Sequence, residues 1–367
     1  MLTRYYLKSY RNLAELNLSL EPNQPIVLYG ENNQGKTNFL ESIYALFNGV
    51  SPIHSDRKEL IRLNQTECIV GGEFQLSPTE SHLSVTSHQL YLKLNANNQR
   101  FITLDGQPVQ SITTLKKRVK CDFISADVIR AFQDSPDSRR RLLDGWCSGF
   151  TRGYSQTLTR YTQILRQKNK ALKSGAAACL IKTLNQQLSE YGSLVVKHRC
   201  HFISEFTPIL ESMLSQFLSV PVSEVKIQYV HKSPFQGELT AYQSWLFTQL
   251  NDQLHKERIL GYSLSGPHRD DFAIRINQNP LFSFYSRGIN RIVAIVSHLA
   301  KIQLNDGFLN RMLLLDDVFS EIDSTHKSRL IKGMQDHVQV VYASVLKSDQ
   351  AFFNSPLVRE VDSGVLR

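Results

Sequence analysis

The sequence predicts an α/β protein in which two α/β segments flank a mainly helical lobe. Residues 1–112 carry short stretches of alternating apolar and polar side chains, such as Leu16–Leu20, and this period is typical of half-buried strands. Residues 113–255 change to helical spacing, and residues 256–367 return to the pattern of short strands and helices. We therefore expect both ends of the chain to build one domain and residues 113–255 to build a second.

The individual elements of the outer segments follow from the same patterns. Short apolar or alternating runs predict strands at Ile26–Tyr29, Cys68–Leu76, Leu83–Leu94, Phe101–Leu104, Phe272–Ile276, Met312–Leu315 and Val338–Val341. Asp105-Gly106 predicts a turn, and Ile289–Leu304 has the apolar spacing of a helix.

The middle segment predicts an antiparallel helical hairpin. Steps of three, four or seven residues place Tyr154, Leu158, Tyr161, Leu165 and Leu172 on one stripe, and Leu184, Leu188, Tyr191, Val195 and Phe202 on another. Ser174-Gly175 lies between the stripes and breaks the helical pattern. Two amphipathic helices joined by a turn of small residues bury their apolar faces against each other.

Composition narrows the class of protein. The 367 residues include 42 Lys and Arg against 33 Asp and Glu, a formal net charge of +9 that is compatible with a polyanionic partner. The apolar runs are far shorter than the roughly 18–20 residues that span a bilayer, and no signal peptide is evident. The five cysteines are dispersed without metal-ligand spacing, so we expect neither a disulfide framework nor a zinc site. We expect a cytoplasmic protein with no membrane association.

The most specific motif is a phosphate-binding loop. Gly30-Glu31-Asn32-Asn33-Gln34-Gly35-Lys36-Thr37 fits the pattern G-x-x-x-x-G-K-[ST], after a predicted strand and before a helical pattern. In such a loop the backbone N–H groups surround phosphate oxygens, Lys36 can reach the β- and γ-phosphates, and the Thr37 hydroxyl can bind Mg²⁺. Asn33 stands where glycine would be easiest, but asparagine tolerates left-handed backbone. These eight residues are the expected ATP site.

A second acidic motif complements the loop. The apolar strand Met312–Leu315 leads directly into Asp316-Asp317, as a Walker B strand does. Asp316 is then expected to lie near Mg²⁺ with Thr37, and Asp317 to polarise the attacking water, so that Lys36 and Asp317 are the expected catalytic residues. The alternative is that both acids are solvated at the end of a strand.

Ser286-Arg287-Gly288 opens the helix that precedes this strand. A hydroxyl, free N–H groups and the helix dipole suit an anion, and in an ABC-type ATPase such a loop contacts the γ-phosphate held by a second subunit. Ser286 and Gly288 are therefore candidate nucleotide-binding residues, although Ser286 could equally be an ordinary N-cap. The polar segment Gly266–Asp271, just upstream, specifies no metal site by its spacing.

Several stretches resemble the RecF family of bacterial recombination-repair ATPases. They occur in order along nearly the whole chain, at Lys8–Leu13, Gly30–Tyr44, Lys58–Arg62, Asp134–Asp144, Leu165–Asn169, Ser265–Asp271 and Leu313–Asp323. The resemblance implies an ABC/SMC-like P-loop ATPase head with a mainly helical second lobe. It also implies ATP-driven homodimerisation, with Lys36, Thr37, Asp316 and Asp317 matching the family in kind, as do Arg11 and Asn12.

The family resemblance further implies an ATP-dependent DNA clamp of recombinational repair and replication restart. Such a protein binds single- and double-stranded DNA at gaps or junctions, helps RecO and RecR to load RecA, and is linked to the SOS response. Arg139–Arg141 and Lys116–Arg118 are basic clusters that could contact DNA phosphates or simply form solvated helix faces.

The chain departs from the family pattern in three places. The family expects Ser-x-Gly-Gln-Gln-Arg, whereas Ile289 follows Gly288 here and cannot donate the hydrogen bonds of a glutamine amide. Ser51–His54 lacks the positive charges of the corresponding family stretch, and Ser344 is the candidate nearest the place of a switch histidine. We therefore expect weak, DNA-stimulated hydrolysis or none.

Two other functions are compatible with the same sequence. The chain could be a DNA-binding scaffold that holds ATP without hydrolysing it, or the nucleotide-binding subunit of a membrane importer. ATP turnover with and without gapped DNA separates the first from an ATPase, and tight association with a membrane protein would favour the second.

Overall fold

The computed structural model describes residues 1–78, 84–230, 238–305 and 307–367. The chain divides into two units, one made of Met1–Ile129 with Asp306–Arg367 and the other of Arg130–Asn305. Among the described residues, no helix combines the length and the apolar content that a membrane span requires.

The strands are, in chain order, β1 (Leu2–Tyr10), β2 (Leu13–Ser19), β3 (Ile26–Tyr29), β4 (Glu67–Leu76), β5 (Thr86–Asn95), β6 (Arg100–Leu104), β7 (Gln107–Pro108), β8 (Lys120–Ser125), β9 (Val225–Val230), β10 (Asp271–Ile276), β11 (Asn279–Pro280), β12 (Arg311–Asp316), β13 (Gln339–Ser344), β14 (Leu357–Asp362) and β15 (Val365–Leu366).

The α-helices are α1 (Lys36–Asn48), α2 (Ile112–Arg118), α3 (Ala126–Gln133), α4 (Pro136–Phe150), α5 (Tyr154–Lys173), α6 (Ala178–Phe217), α7 (Leu239–Asp252), α8 (Leu254–Leu260), α9 (Leu281–Phe284), α10 (Arg287–Asn305) and α11 (Ser324–Gln335).

The first unit is built on two six-stranded sheets. One is antiparallel in the order β2-β1-β4-β5-β6-β7, and the other has the order β15-β14-β3-β13-β12-β8, in which β14, β3, β13, β12 and β8 run parallel. The apolar runs of β3, β12 and β13 are buried, as expected of a parallel sheet covered on both faces. Helix α1 contributes Phe39, Leu40, Ile43, Leu46 and Phe47 to the core that both sheets share.

The second unit is organised around the helical hairpin of α5 and α6. The hydroxyl of Tyr154, at the start of α5, lies 3.2 Å from Nε of Arg199, more than halfway along α6, so the helices are antiparallel. Helices α4, α7 and α10 also contact α6, and β11, β10 and β9 form a small antiparallel sheet. The predicted hairpin is therefore confirmed, with Ser174-Gly175 in its connection.

The predicted strands are also confirmed, but the domain boundaries at 112/113 and 255/256 differ from those of the two units. The first unit extends to Ile129 because β8 pairs with β12 in its parallel sheet. The second unit extends to Asn305 because β10 pairs with β9 and α10 packs on α6. Leu83, the predicted start of one strand, lies outside the described residues.

A buried ion pair ties α5 to α8, and the segment that follows α8 adds hydrogen bonds to it. Lys168 Nζ lies 2.6 Å from Glu257 Oε2, and both side chains are 0% exposed. Ser263 accepts a hydrogen bond from Lys168 at 3.1 Å and donates one to Glu257 at 3.0 Å, while the Leu264 amide donates to the same carboxylate. Burial lowers the pKa of Lys168, and the Glu257 carboxylate opposes that effect. Neither charge is exposed to water, so each is compensated by the opposite charge of its partner.

We predict that Glu257→Gln destabilises the protein by about 3–5 kcal/mol, because it leaves the Lys168 ammonium buried without an anion. The double variant Lys168→Met, Glu257→Met should recover most of the loss, since both charges are then removed. Urea denaturation followed by circular dichroism measures both effects, with Lys170→Met on the exposed face of α5 as the control. Wild-type stability in the Glu257→Gln protein would show that the pair is not a structural tie.

Candidate nucleotide-binding site

The loop between β3 and α1 has the backbone conformation that a phosphate cradle needs. Gly30, Asn33 and Gly35 have positive φ angles of 148°, 65° and 118°. A Cβ atom on Gly35 would lie 2.8 Å from the side chain of Asn12, and one on Gly30 would collide with the Val361 carbonyl oxygen. Glycine is therefore required at both ends of the loop, and the left-handed conformation predicted for Asn33 is confirmed.

Lys36 is folded back over this loop. Its Nζ donates hydrogen bonds to the carbonyl oxygens of Gly30 and Glu31, each at 2.6 Å. Burial lowers the pKa of Lys36, and the nearby carboxylates of Asp316 and Asp317 act in the opposite direction by favouring the ammonium. The cation is thus held at the mouth of the loop by groups from two distant parts of the chain.

The acidic motif meets the loop at the end of β12. Thr37 Oγ1 donates a hydrogen bond of 2.8 Å to Asp316 Oδ2, although the two residues are 279 positions apart. Burial raises the pKa of Asp316 and the neighbouring Asp317 raises it further, whereas Thr37 and Lys36 lower it. Asp317 has a left-handed φ of 49°, and its amide donates to the Ala343 carbonyl on β13. The carboxylate of Asp316 therefore lies directly beside the phosphate loop.

This donor set fits a magnesium ion. A hydroxyl oxygen and a carboxylate oxygen, 2.8 Å apart, are the hard oxygen ligands that Mg²⁺ prefers, and they lie beside a loop suited to phosphate. Thr37 and Asp316 are the residues that would hold it.

Both ends of the chain brace the loop at Gln34. Asn12 Nδ2 and the Gly364 amide donate to the Gln34 carbonyl oxygen at 3.0 and 2.9 Å. The Ser363 amide donates to the Gln34 side chain at 2.6 Å, and Asn38 donates to Asn12 at 2.8 Å. No sequence pattern points to Ser363 and Gly364 as part of the site, because a Ser-Gly pair marks only a turn.

The family of this chain follows from its similarity to known proteins. No family model matches the chain. The chain is 30% identical over 372 residues to the DNA replication and repair protein RecF of Staphylococcus aureus (strain USA300), which covers 98% of this chain and 97% of that protein. The chain belongs to the RecF family.

Solved structures agree on the fold of this RecF-family chain. The recombination mediator protein RecF-ATPrS in the RecFOR pathway is 23% identical, with a TM-score of 0.79 over 100% of this chain and 97% of that one. An Smc head bound to the C-winged helix domain of ScpA is 11% identical, with a TM-score of 0.56 over 100% and 96%. The expected α/β fold of an ABC/SMC-like head with a helical second lobe is thus confirmed.

The Ser51–His54 stretch, which departs from the RecF-family pattern, contacts the buried carboxylate of Glu41. Glu41, on α1, accepts hydrogen bonds from the Ser51 hydroxyl and, at 2.7 Å, from His54 Nδ1. Arg11 Nη1 lies 3.1 Å from His54 Nε2, and Arg11 Nε lies 3.9 Å from Glu41. His54 and Arg11 together therefore face the negative charge of Glu41.

Ser344, considered for the place of a switch histidine, lies at the end of β13 opposite Tyr29 of β3. Its hydroxyl donates to Asp349 at 2.6 Å, and that carboxylate also accepts from Tyr342 and Lys327 at 2.8 and 2.7 Å. Burial alone would raise the pKa of Asp349, but these hydrogen bonds outweigh it and lower the pKa. Ser344 thus lies beside the strand end that leads into the phosphate loop, and its hydroxyl is hydrogen-bonded to the Asp349 carboxylate.

Ser286 and Gly288 belong to the second unit, where Ser286 is exposed and Gly288 half-exposed at the start of α10. The Ile289 amide donates to Ser286 Oγ at 3.4 Å, and the Asn290 amide donates to the Ser286 carbonyl at 3.0 Å. Ser286 therefore has the geometry of an N-cap, whatever else it contacts. Asn290 is buried behind it.

The predicted DNA-contact clusters have different surroundings. Arg139 forms a two-point ion pair with Asp271 at 2.9 and 2.6 Å, and Arg140 donates to the Asp270 carbonyl; their side chains are only 15% and 13% exposed. These two arginines therefore connect α4 to the segment at the start of β10. On α2, Lys116 and Arg118 are exposed, and the side chain of Lys117 lies outside the described part of the chain.

The Gly266–Asp271 segment has structural partners throughout. His268 Nδ1 lies 2.6 Å from the Tyr161 hydroxyl, and burial lowers the pKa of His268 to about 4. Tyr229 donates to Asp270 at 2.7 Å, and burial raises the pKa of Asp270 to about 6. The residues connect the hairpin to β9 and β10.

We predict that Asp316→Asn raises the melting temperature of the nucleotide-free protein at pH 7 by about 1–3 °C. The raised pKa means that the carboxylate is less favourable in the folded than in the unfolded protein, and asparagine can still accept from Thr37. The advantage should disappear below about pH 4, the usual pKa of an unfolded aspartate, because the wild-type carboxyl is then protonated.

Asp323→Asn is the control of opposite sign. Hydrogen bonds from the His326 amide and other groups lower the pKa of Asp323, so its charge stabilises the folded protein above the unfolded pKa and the effect is lost in acid. Differential scanning calorimetry between pH 3.5 and pH 7 measures both variants. A lower melting temperature for Asp316→Asn at pH 7 contradicts the conclusion that burial makes the charged carboxylate unfavourable in the folded protein.

Proposed function

We propose that this RecF-family protein is an ATP-dependent DNA-binding clamp that acts in recombinational DNA repair and replication restart. The observation that carries the proposal is the 2.8 Å hydrogen bond between Thr37 and Asp316, which brings together the two halves of an ATPase site from opposite parts of the chain. Full-length similarity to a DNA replication and repair protein RecF supports the choice among ATPase functions.

In this proposal each residue of the site has one task. The loop amides from Gly30 to Gly35 and the Lys36 ammonium bind the phosphates, and Thr37 with Asp316 holds the metal. Magnesium, when bound, neutralises phosphate charge. Asp317 orients the attacking water and accepts its proton, and its position next to Asp316 keeps a second carboxylate at the site.

We propose that hydrolysis requires two copies of the chain. Ser286 and Gly288 of one copy would present a hydroxyl and free amides at the start of α10 to the γ-phosphate held by the other. The first unit would then be the core of the head, and α10 of the second unit would contribute the trans contact. ATP binding would thereby control dimerisation.

DNA and the RecFOR proteins are the proposed partners. A relative named a DNA replication and repair protein and a solved structure described as a recombination mediator of the RecFOR pathway support this assignment. The clamp would bind single- and double-stranded DNA at gaps or junctions, help RecO and RecR to load RecA, contribute to the SOS response, and work in the cytoplasm with its DNA.

A second candidate, a scaffold that binds ATP without hydrolysing it, is favoured by Ile289. Its apolar side chain follows Gly288 where the family pattern has a glutamine, so one donor to the trans contact is missing. The membrane-importer alternative has no comparable observation in its favour.

We predict that Asp317→Asn reduces ATP turnover at least about 100-fold, because the base is lost, while Mg·ATP binding and dimerisation persist. Lys36→Ala should lose ATP binding and dimerisation as well. Phosphate release with and without gapped DNA, and sedimentation with and without Mg·ATP, separate the two effects. Asp336→Asn, an exposed acid at the end of α11, is the matched control.

Full turnover by Asp317→Asn, or a wild-type protein that binds Mg·ATP and stays monomeric, would overturn the ATPase clamp. Background turnover with intact DNA binding in the wild type would favour the scaffold.

We predict that Ile289→Gln increases the Mg·ATP-dependent dimer fraction and raises turnover several-fold, because the amide restores a hydrogen-bond donor beside Gly288. Ile289→Met, which keeps the site apolar, is the control and should behave as wild type. Sedimentation and phosphate release measure both. A glutamine variant no better than wild type would show that Ile289 is not what limits the trans contact.

A further inference from the structure

Most of the protein's excess positive charge lies in one segment. Between Asp144 and Glu190 the chain has no acidic residue, and it has seven basic ones, at positions 152, 160, 166, 168, 170, 173 and 182. The other 322 residues hold 35 Lys and Arg against 33 Asp and Glu, so they are nearly neutral. The segment runs from the end of α4 through α5 and the hairpin turn into the first part of α6, and six of its seven cations lie on α5 and α6.

Three of these cations form a stripe on α5. Arg166, Lys170 and Lys173 are exposed and follow each other at spacings of four and three residues, which puts them on one face of the helix. The opposite face, with Tyr161, Ile164, Lys168 and Leu172, is buried. Among the described residues, none of the three stripe cations forms an ion pair. We call Arg166, Lys170 and Lys173 the basic stripe.

The stripe continues past the hairpin turn. Arg258, exposed on α8, donates a hydrogen bond of 3.0 Å to the Ala176 carbonyl oxygen in that turn. A Cβ on Gly261 would lie 3.1 Å from the stem of Lys173, so the end of α8 packs against the end of α5. A fourth cation therefore lies near the C-terminal end of the stripe.

Helix stability does not account for this arrangement. Like charges at these spacings repel each other, and an interspersed glutamate would ordinarily relieve them. The helix dipole favours cations in the last turn, which explains Lys170 and Lys173. It explains neither Arg166 nor the lack of acidic residues over 45 positions. A surface that keeps repelling cations on one face is complementary to a polyanion.

We propose that the basic stripe binds the phosphate backbone of DNA. This inference rests on the proposed function and names the surface that the function uses. Seven residues of helix span about 10 Å, and one strand of duplex DNA presents a phosphate about every 3.4 Å of axis, so three cations can face about three phosphates. The contacts carry no base readout, which suits binding by DNA structure and not by sequence.

The test is the salt dependence of DNA binding by the full-length protein with Mg·ATP. The variant Arg166→Gln, Lys170→Gln, Lys173→Gln should weaken binding to a gapped duplex at least about tenfold at 0.1 M salt. The slope of log K against log salt should fall by about 2–3 between roughly 50 and 200 mM, since three phosphate contacts are lost. Fluorescence anisotropy with gapped, duplex and single-stranded DNA provides these values.

Two matched variants accompany it. Lys8→Gln, Lys226→Gln, Lys332→Gln removes the same charge from exposed positions elsewhere and should change the slope by less than about 1. Arg166→Lys, Lys170→Arg, Lys173→Arg keeps the charge and should keep the wild-type slope. ATP affinity and melting temperature, measured on all variants, show that the fold and the nucleotide site are intact.

The outcomes separate the stripe from the function on which it rests. A reduced slope only in the glutamine stripe variant supports the assignment. A stripe variant that binds DNA with the wild-type slope overturns the stripe and leaves the clamp standing. A wild-type protein that binds no DNA at any salt concentration overturns both.

Discussion

The parallel register of β3, β13 and β12 is the constraint on which the nucleotide site depends. Ala343 of β13 pairs with Leu28 on one side and with Asp316 on the other, so the three strands end at one level of the sheet. The phosphate loop leaves β3 just beyond Leu28, and the acidic pair leaves β12 at Asp316. A slip of one residue would move Asp316 by about 3.3 Å and turn it to the opposite face, which would break its hydrogen bond to Thr37.

The same loop also depends on the ends of the chain. Gln34 is hydrogen-bonded by Asn12 near the N-terminus and by Ser363 and Gly364 near the C-terminus, and Gly30 packs on the Val361 carbonyl. These contacts hold a loop in which three residues, Gly30, Asn33 and Gly35, have positive φ angles. Residues that carry no recognisable motif are therefore as much a part of the loop's geometry as the motif itself.

The sequence patterns correctly predicted the structural features that depend only on neighbouring residues. The stripes of α5 and α6, the apolar run of β12 and the left-handed Asn33 each depend on a few neighbouring residues, and all were predictable. The unit boundaries were not, because β8 joins its sheet by pairing with β12, 191 residues later (Lys120 with Arg311). Arg139 was a candidate for DNA for the same reason: its partner Asp271 is 132 positions away and no periodicity points to it.

The two phosphate-binding surfaces that we infer depend on different physics. The loop offers oriented amides and one buried lysine beside two carboxylates, so it has no excess positive charge and only a ligand that fits the cradle gains from its donors. The basic stripe offers exposed cations on flexible stems, which attract any phosphate chain and are screened by salt within about 10 Å. With two such surfaces, one protein would discriminate a nucleotide by shape and hold DNA by charge. Because the excess charge lies on the hairpin, electrostatic attraction to DNA does not need to act through the nucleotide site.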